Sequence, residues 1–236
     1  MSSNYAWSFT TGSAPDTTAP SGSVSINSGV SYTNSTTVSL GLSATDNVGV
    51  TGYYVSDSST TPSPSASGWT SVTSTTSYSG TVSYSLSGSE GSKTIYAWYK
   101  DAAGNVSTTA NATITYDTTV PTVTISSPTS SSTYTSTSST LSLGGSASDS
   151  SSGISSVAWS NNRGGNGTAT GTASWTISGV SLSGGDNVIT VTAKDGANNS
   201  GTDTLQVTYG TSSTVSAPTV STGSASSVTT SSATLN

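Results

Sequence analysis

Asp117-Thr118-Thr119-Val120-Pro121 repeats, about a hundred residues later, the run Asp16-Thr17-Thr18-Ala19-Pro20. Each copy opens the same succession of features, so the second copy is a joint between two similar units. Asp46 in the first unit is answered by Asp149 in the second, and Leu86-Ser87-Gly88 by Leu182-Ser183-Gly184. Lys100-Asp101 is answered by Lys194-Asp195, and Ile114-Thr115-Tyr116 by Val207-Thr208-Tyr209. Correspondences in one order divide the chain into 1–15, an orphan strand; 16–116 and 117–210, two full units; and 211–236, a linker with the start of a further module.

Inside each unit, short runs alternate Val, Ile, Tyr and Trp with Thr and Ser, the period of a strand with one buried face. Strands are expected at 22–26, 36–42, 50–56, 81–86, 93–100 and 110–116 in the first unit. In the second they are expected at 120–126, 140–147, 154–160, 173–178, 187–194 and 202–209. Turn signals separate them, among them Asn27-Ser28-Gly29, Asp46-Asn47-Val48-Gly49 and Ala103-Gly104-Asn105. A Ser/Pro-rich excursion over 57–79 reads as a surface loop or a short edge strand. The sum is an all-β chain of two tandem antiparallel sandwiches, with a barrel as the alternative fold. Val38, Leu40, Leu42, Tyr54, Ile95, Ala97 and Tyr99 are the expected core of the first. Leu141, Leu143, Val157, Trp159, Ile189, Val191, Ala193, Leu205 and Val207 are that of the second.

Composition narrows the function. Only 6% of the 236 residues are charged, with four Lys+Arg against ten Asp+Glu and a formal net charge of −6. Such a chain lacks the basic footprint of a nucleic-acid binder. No apolar run approaches the roughly 20 residues of a membrane span, and no signal sequence is recognised. Cysteine and histidine are absent and Glu90 is the single glutamate. General acid–base and nucleophilic chemistry usually draw on those groups, so no enzyme is expected. A pair of Asp carboxylates, as in glycoside hydrolysis, is the one arrangement left, and every Asp sits at a turn.

Both ends read as fragments of domains. Asn4-Tyr5-Ala6-Trp7-Ser8-Phe9-Thr10-Thr11-Gly12 is one strand without partners, and 217–236 resembles the first strands of a fibronectin type III-like module. Tyr5, Trp7 and Phe9 could therefore pair with the partial module of a neighbouring chain, around Val228 and Leu235, linking copies head to tail by strand addition.

Asp-Thr-Thr-Ala/Val-Pro at the start of each unit, Ala44-Thr45-Asp46-Asn47-Val48-Gly49-Val50, and Lys100-Asp101-Ala102-Ala103-Gly104-Asn105 together resemble the tandem bacterial Ig-like domains of large surface proteins and adhesins. The second unit departs at Asp149-Ser150-Ser151-Ser152-Gly153-Ile154 and Asp195-Gly196-Ala197-Asn198-Asn199. The resemblance implies an extracellular, cell-surface setting and a structural segment that spaces or displays other domains. A homopolymeric filament and a binding module for a host or matrix glycan or protein are the alternatives. It also implies calcium at or near the joints, and Asp and turn carbonyls are the hard oxygen donors that cation takes. Asp46, Asp101, Asn105 and Asp117 form the expected set in the first unit, and Asp149 and Asp195 in the second, with Gly210 at the next joint. The plain alternative is that these carboxylates close their own Asx turns. Tyr96 and Trp98 alternate away from Ile95, Ala97 and Tyr99, which makes them a candidate sugar-stacking pair if that face is exposed.

Overall fold

Alternation with period 2 forces one edge of each strand's side chains inward, and the two units solve that constraint in the same way. The computed structural model describes residues 12 and 14–210. Tyr5, Trp7, Phe9, Val228 and Leu235 lie outside the described residues. The first unit is built from β1 (Ser21–Ile26), β2 (Tyr32–Thr33), β3 (Thr37–Ser56), β4 (Thr70–Ser85), β5 (Gly91–Asp101) and β6 (Ala110–Tyr116). The second is built from β7 (Thr122–Ser127), β8 (Thr133–Ser136), β9 (Thr140–Ser148), β10 (Ile154–Asn161), β11 (Asn166–Thr168), β12 (Ser174–Ser181), β13 (Gly185–Asp195) and β14 (Ser200–Tyr209).

In the second unit the layers are separate: a sheet of order β12-β9-β7 faces one of order β11-β10-β13-β14-β8. In the first unit the corresponding layers are joined, because the expected strands at 36–42 and 50–56 are one strand. The first half of β3 pairs with β1, its second half, from Val50, pairs with β5, and β4 runs along both halves with register shifts at the crossing. The register shifts between Thr45 and Val50 mark the crossing, a bulge that re-aims the chain from one layer to the other. Ser150 to Gly153 make the same crossing as an open loop, so β9 and β10 remain distinct.

Three short strands, β2, β8 and β11, escaped the sequence pattern, and two of them correct the expectation of purely antiparallel sheets. β2 pairs with β6, and β8 with β14, in parallel. Two to four residues are too few to display a period, which is why none was legible.

Each unit has its own hydrophobic core. Ile26, Val38, Leu40, Leu42, Val50, Ile95, Ala97, Tyr99 and Ile114 fill the first; Leu143, Val157, Trp175, Ile177, Val180, Ile189, Val191, Leu205 and Val207 lie in the second. Trp159 is half-buried against the second core. Tyr54 corrects the expected list: it points to the outer face of its sheet, where its ring meets Trp98 and Trp69 edge-on with centroids 6.0 and 5.7 Å away. Tyr53, its neighbour, packs on the core instead.

That outer face is covered by the excursion, of which the second part, from Thr70, is strand β4 and the first part folds back as a flap. Trp69 donates its indole N–H to Ser63 O at 2.8 Å, and Lys100 Nζ donates to Pro64 O at 2.8 Å while lying 4.9 Å from the Trp69 ring centre. Trp98 is buried beneath, its indole N–H donated to Thr109 Oγ1. Its ring therefore offers no face to a sugar, and only half-buried Tyr96, stacked on it with centroids 6.2 Å apart, remains of the expected pair.

Candidate metal centres

Three features of each sandwich converge at one pole. The opening Asp-Thr-Thr segment enters there, the chain crosses between layers there, and the long central strand β5 or β13 ends there. Each contributes one aspartate. Asp16, Asp46 and Asp101 bring carboxylate oxygens within 4.8 Å of one another in the first unit; Asp117, Asp149 and Asp195 do so in the second.

This grouping corrects the expected one. Asp46 and Asp101 do meet, but their third partner is Asp16 rather than Asp117. Asp117 belongs with Asp149 and Asp195, and Gly210 has no part in the second set. The reason is strand direction. β6 runs antiparallel to β5 with Gly91 opposite Tyr116, so Asp117 emerges at the far pole. Asp101 stands ten residues along β5 from Gly91, or about 33 Å at ~3.3 Å per residue.

Local hydrogen bonds leave three of the six carboxylates, Asp16, Asp46 and Asp149, with one held oxygen and one presented oxygen; both oxygens of Asp101, Asp117 and Asp195 accept hydrogen bonds. Asp46 Oδ1 accepts the N–H groups of Val48 (2.9 Å) and Gly49 (2.7 Å), an Asx turn at the crossing. Asp149 Oδ1 does likewise for Ser151, Ser152 and Gly153 at 3.0, 2.8 and 3.1 Å. Asp16 Oδ1 accepts from Thr18 N and Asn47 Nδ2. The second oxygens of Asp16, Asp46 and Asp149 are buried and have no hydrogen-bond partner. At Asp16, Asp46 and Asp149 the Asx-turn reading and the ligand reading are thus both accommodated, one oxygen each.

Asn105 is placed as a holder. Its backbone N–H reaches Asp101 Oδ1 (2.9 Å), and its amide nitrogen reaches Asp101 Oδ2 (2.6 Å) and Asp16 O (3.1 Å). Asn199 repeats all three bonds on Asp195 and Asp117, at 2.8, 2.8 and 3.0 Å. Ser152 adds a contact that the first unit lacks, donating its hydroxyl to Asp117 Oδ2 at 2.5 Å. The repeat of Asp16 in Asp117, visible in the sequence, was the signal that could have found the missing member.

The bonding partners of all six carboxylates are neutral: backbone N–H groups, amides and a hydroxyl. Lys100, adjacent to Asp101, turns its ammonium to Pro64 instead. Three carboxylates gathered at a largely buried pole, with Asp46, Asp101, Asp117 and Asp195 at most 8% exposed, repel one another unless a cation joins them. Two ligands across a calcium ion stand at most about 5 Å apart, given calcium–oxygen distances of roughly 2.3–2.6 Å. The 4.8 Å limit of each cluster fits that span, and carboxylate oxygens are the donor type calcium prefers.

The second cluster also lies in the seam between units. Asp117 is fully buried; its N–H donates to Thr33 O of the first unit (2.9 Å), and its carbonyl accepts from Asn199 of the second. Asn34 Nδ2 crosses the seam to Asn199 Oδ1 at 3.1 Å. A Cβ on Gly196 would stand 3.0 Å from the Tyr32 ring.

Glu90 clasps the linker from the side. Its carboxylate accepts the hydroxyl and the backbone N–H of Thr118 and the hydroxyl of Thr119. These bonds, the Thr118 hydroxyl first, hold the Glu90 carboxyl below the usual range. A folded-state pKa that is lowered contributes stability above the ordinary carboxylate range and loses it as pH falls through the lowered value. The expected result is a Glu90 carboxyl signal titrating below free glutamate by NMR, with a smaller displacement when Thr118→Ala removes the hydroxyl and leaves the other bonds in place.

Residues 121–207 match the family model described as a bacterial Ig domain. No curated protein sequence matches the chain. Among solved structures, the fibronectin(III)-like modules of Clostridium thermocellum CbhA share 20% identity over 79% of this chain and 93% of theirs, with a TM-score of 0.45. The D00-D0 domain of intimin shares 14% over 79% of this chain and 96% of its own, with a TM-score of 0.33. Dimeric latent PorU from Porphyromonas gingivalis shares 14% over 80% of this chain and 24% of its own, with a TM-score of 0.31. With a two-layer sandwich, its own core and a family match spanning nearly all its strands, the second unit of this chain is a bacterial Ig domain.

Proposed function

We propose that the chain is a spacer segment of an extracellular stalk or adhesin, and that calcium held by the two aspartate clusters stiffens it. The observation that carries this reading is the double role of Asp117. One residue ends the first sandwich through its backbone, opens the second, and places its carboxylate in the second cluster. A cation there would tie the linker to the crossing loop at Asp149 and to the end of β13 at Asp195, which leaves little freedom for bending.

The first cluster stands at the opposite pole of the first unit, where a preceding domain would join, so the same device is set at each domain entry. Bound calcium would supply charge neutralisation and a fixed coordination shell; the residues supply preorganised oxygens, each steered by its turn. The sparsely charged, Ser/Thr-rich surface suits such a spacer, and no helix among the described residues is long and apolar enough to cross a membrane.

Small-angle scattering of the whole chain, with calcium and with a chelator, tests the reading. Calcium is expected to narrow the distribution of end-to-end dimensions. Asp149→Asn, in the seam, should remove that response, whereas Asp46→Asn, remote from it, should leave it in place. Identical profiles in calcium and chelator, at concentrations where calorimetry detects binding, would sink the stiffening role.

A further inference from the structure

β4 is an open edge of unusual character, and it points beyond the spacer reading to a contact between chains. Its 16 residues contain no charged residue and no proline. From Ser77 to Ser85 it pairs with β3 in unbroken register, Thr37 opposite Ser85 through Thr45 opposite Ser77. Strands of this kind offer a row of unpaired N–H and C=O groups to any other strand, and folded proteins commonly block them.

The direction of the free groups follows from two hydrogen bonds. Leu86 N–H donates to Thr36 O, in the same register as the β3–β4 ladder, so even-numbered residues of β4 turn their backbone groups toward β3. Ser39 N–H, of the opposite parity on β3, donates the other way, to Asn27 Oδ1. Odd-numbered residues of β4 therefore turn outward. Ser77 is satisfied locally by Thr75 Oγ1. The outward groups of Ser79, Thr81 and Ser83 take no partner among the described residues.

Several other edges are guarded or short. In the second unit the strand corresponding to this part of β4 is β12, and Thr170 folds back to bond both backbone groups of Thr176, at 2.8 and 2.9 Å. β12 also carries an irregularity between Ile177 and Val180. On β7 the outward N–H of Ile125 is capped by Asp203 Oδ2 at 2.7 Å, and prolines stand at 121 and 128. β2, β8 and β11 are two to four residues long.

We propose that the outer edge of β4 is a self-association site, pairing antiparallel with β4 of a second copy of this chain about a two-fold axis at Thr81. The strand is self-complementary in that register. Thr81 faces Thr81 of the other copy and Ser79 faces Ser83, all small and exposed. On the core side Val82 falls opposite Gly80, and half-buried Tyr78 opposite half-buried Tyr84, so the pairing covers apolar surface on both copies without crowding. Two chains of net charge −6 meet here at a stretch that carries no charge, where approach is least opposed. The contact is isologous and closes as a dimer, joining stalks side by side.

Sedimentation equilibrium of the full chain over a wide concentration range, with amide exchange, tests this. The weight-average mass should rise toward twice that of one chain, and the amides of Ser79, Thr81 and Ser83 should exchange more slowly as concentration rises. Ser79→Lys with Ser83→Lys, which sets like charges opposite each other, should hold the chain at a single mass with an unchanged far-UV spectrum. Thr81→Pro, removing one outward N–H, should do the same. A single mass throughout, with these amides exchanging at one rate, overturns the proposal, as does a dimer indifferent to both variants. Protection of the same amides by an added extended Ser/Thr-rich peptide, while the chain stays at a single mass, would assign the edge to a foreign strand and overturn the second copy as occupant.

Discussion

Calcium in about hundredfold excess over its Kd is expected to stabilise each unit by about 2.7 kcal/mol, which in a domain of this size raises Tm by roughly 10–20 °C. The size of the gain follows from the ratio of calcium to Kd alone; the three converging carboxylates, gathered in the folded state and dispersed in the unfolded chain, are what would make the cation prefer the folded state. The variant Asp149→Asn separates the cation from a general effect of salt. Its side-chain oxygen can still accept the turn N–H groups of Ser151, Ser152 and Gly153, so the crossing loop retains its closure. One negative charge and one orphan oxygen are gone. In chelator the second unit of the variant should therefore melt higher than the parent's, and in calcium it should melt lower. That reversal of sign, followed by scanning calorimetry, is what a metal centre requires. A structural Asx aspartate would instead leave the ranking unchanged between the two buffers.

Trp175→Ala is expected to cost the second unit about 3–5 kcal/mol, a large part of the 5–15 kcal/mol typical of a whole domain. Trp175 is 1% exposed at the centre of its core. It stands opposite Gly145 in the β12–β9 register, with its ring against that glycine: a Cβ there would lie 2.5 Å from Trp175 Cζ2 and 2.0 Å from Thr124 O. Removing the indole leaves a void that the two rigid sheets cannot close. The Trp175 indole N–H is buried without a partner, so Trp175→Phe gives up some packing but also discards an unsatisfied donor. The phenylalanine variant should consequently fall much nearer the parent than the alanine variant. Denaturant unfolding of the alanine variant should show one transition displaced, that of the second unit, with the first unit's transition near its original midpoint. A parallel loss in both units would mean that the two cores do not unfold separately.

The clusters show where sequence reading succeeds and where it stops. Asp46, Asp101, Asp149 and Asp195 were legible because each sits in a turn whose composition repeats between units. Membership was harder to read. Asp117 was grouped with the first unit because it follows Tyr116 directly in the chain, and neighbours in sequence stand at opposite ends of a strand from residues they resemble. Asp16 was passed over as part of a boundary motif. The partition of Asp16, Asp46 and Asp149 into a held and a free oxygen, and the role of Asn105 and Asn199 as holders, depend on side-chain directions that spacing does not encode.

Aromatic residues tell a similar story. Alternation correctly separated Tyr96 and Trp98 from Ile95, Ala97 and Tyr99, but a period of two says only that faces differ. Whether the second face meets water was decided by the flap through Pro64 and Trp69, which buries Trp98 through contacts distant in the chain. Tyr54 was misassigned to the core for the same reason, since adjacent Tyr53 and Tyr54 are equally apolar and only packing tells them apart.

By itself the sequence determined an all-β chain, two units with a short joint, most strand positions, and the turns that carry four of the six clustered aspartates, because hydrophobic period, turn chemistry and repetition are local properties. The tertiary structure alone decided that β3 spans both layers and that β2 and β8 pair in parallel. It also decided that each Asp-Thr-Thr run serves the sandwich it opens, and that β4 keeps a bare edge. These are outcomes of strand direction and of what packs across a gap, and they are set by contacts between residues far apart in sequence. At Asp117 the two levels meet: repetition marked the residue, and the direction of β6 assigned it to the second unit.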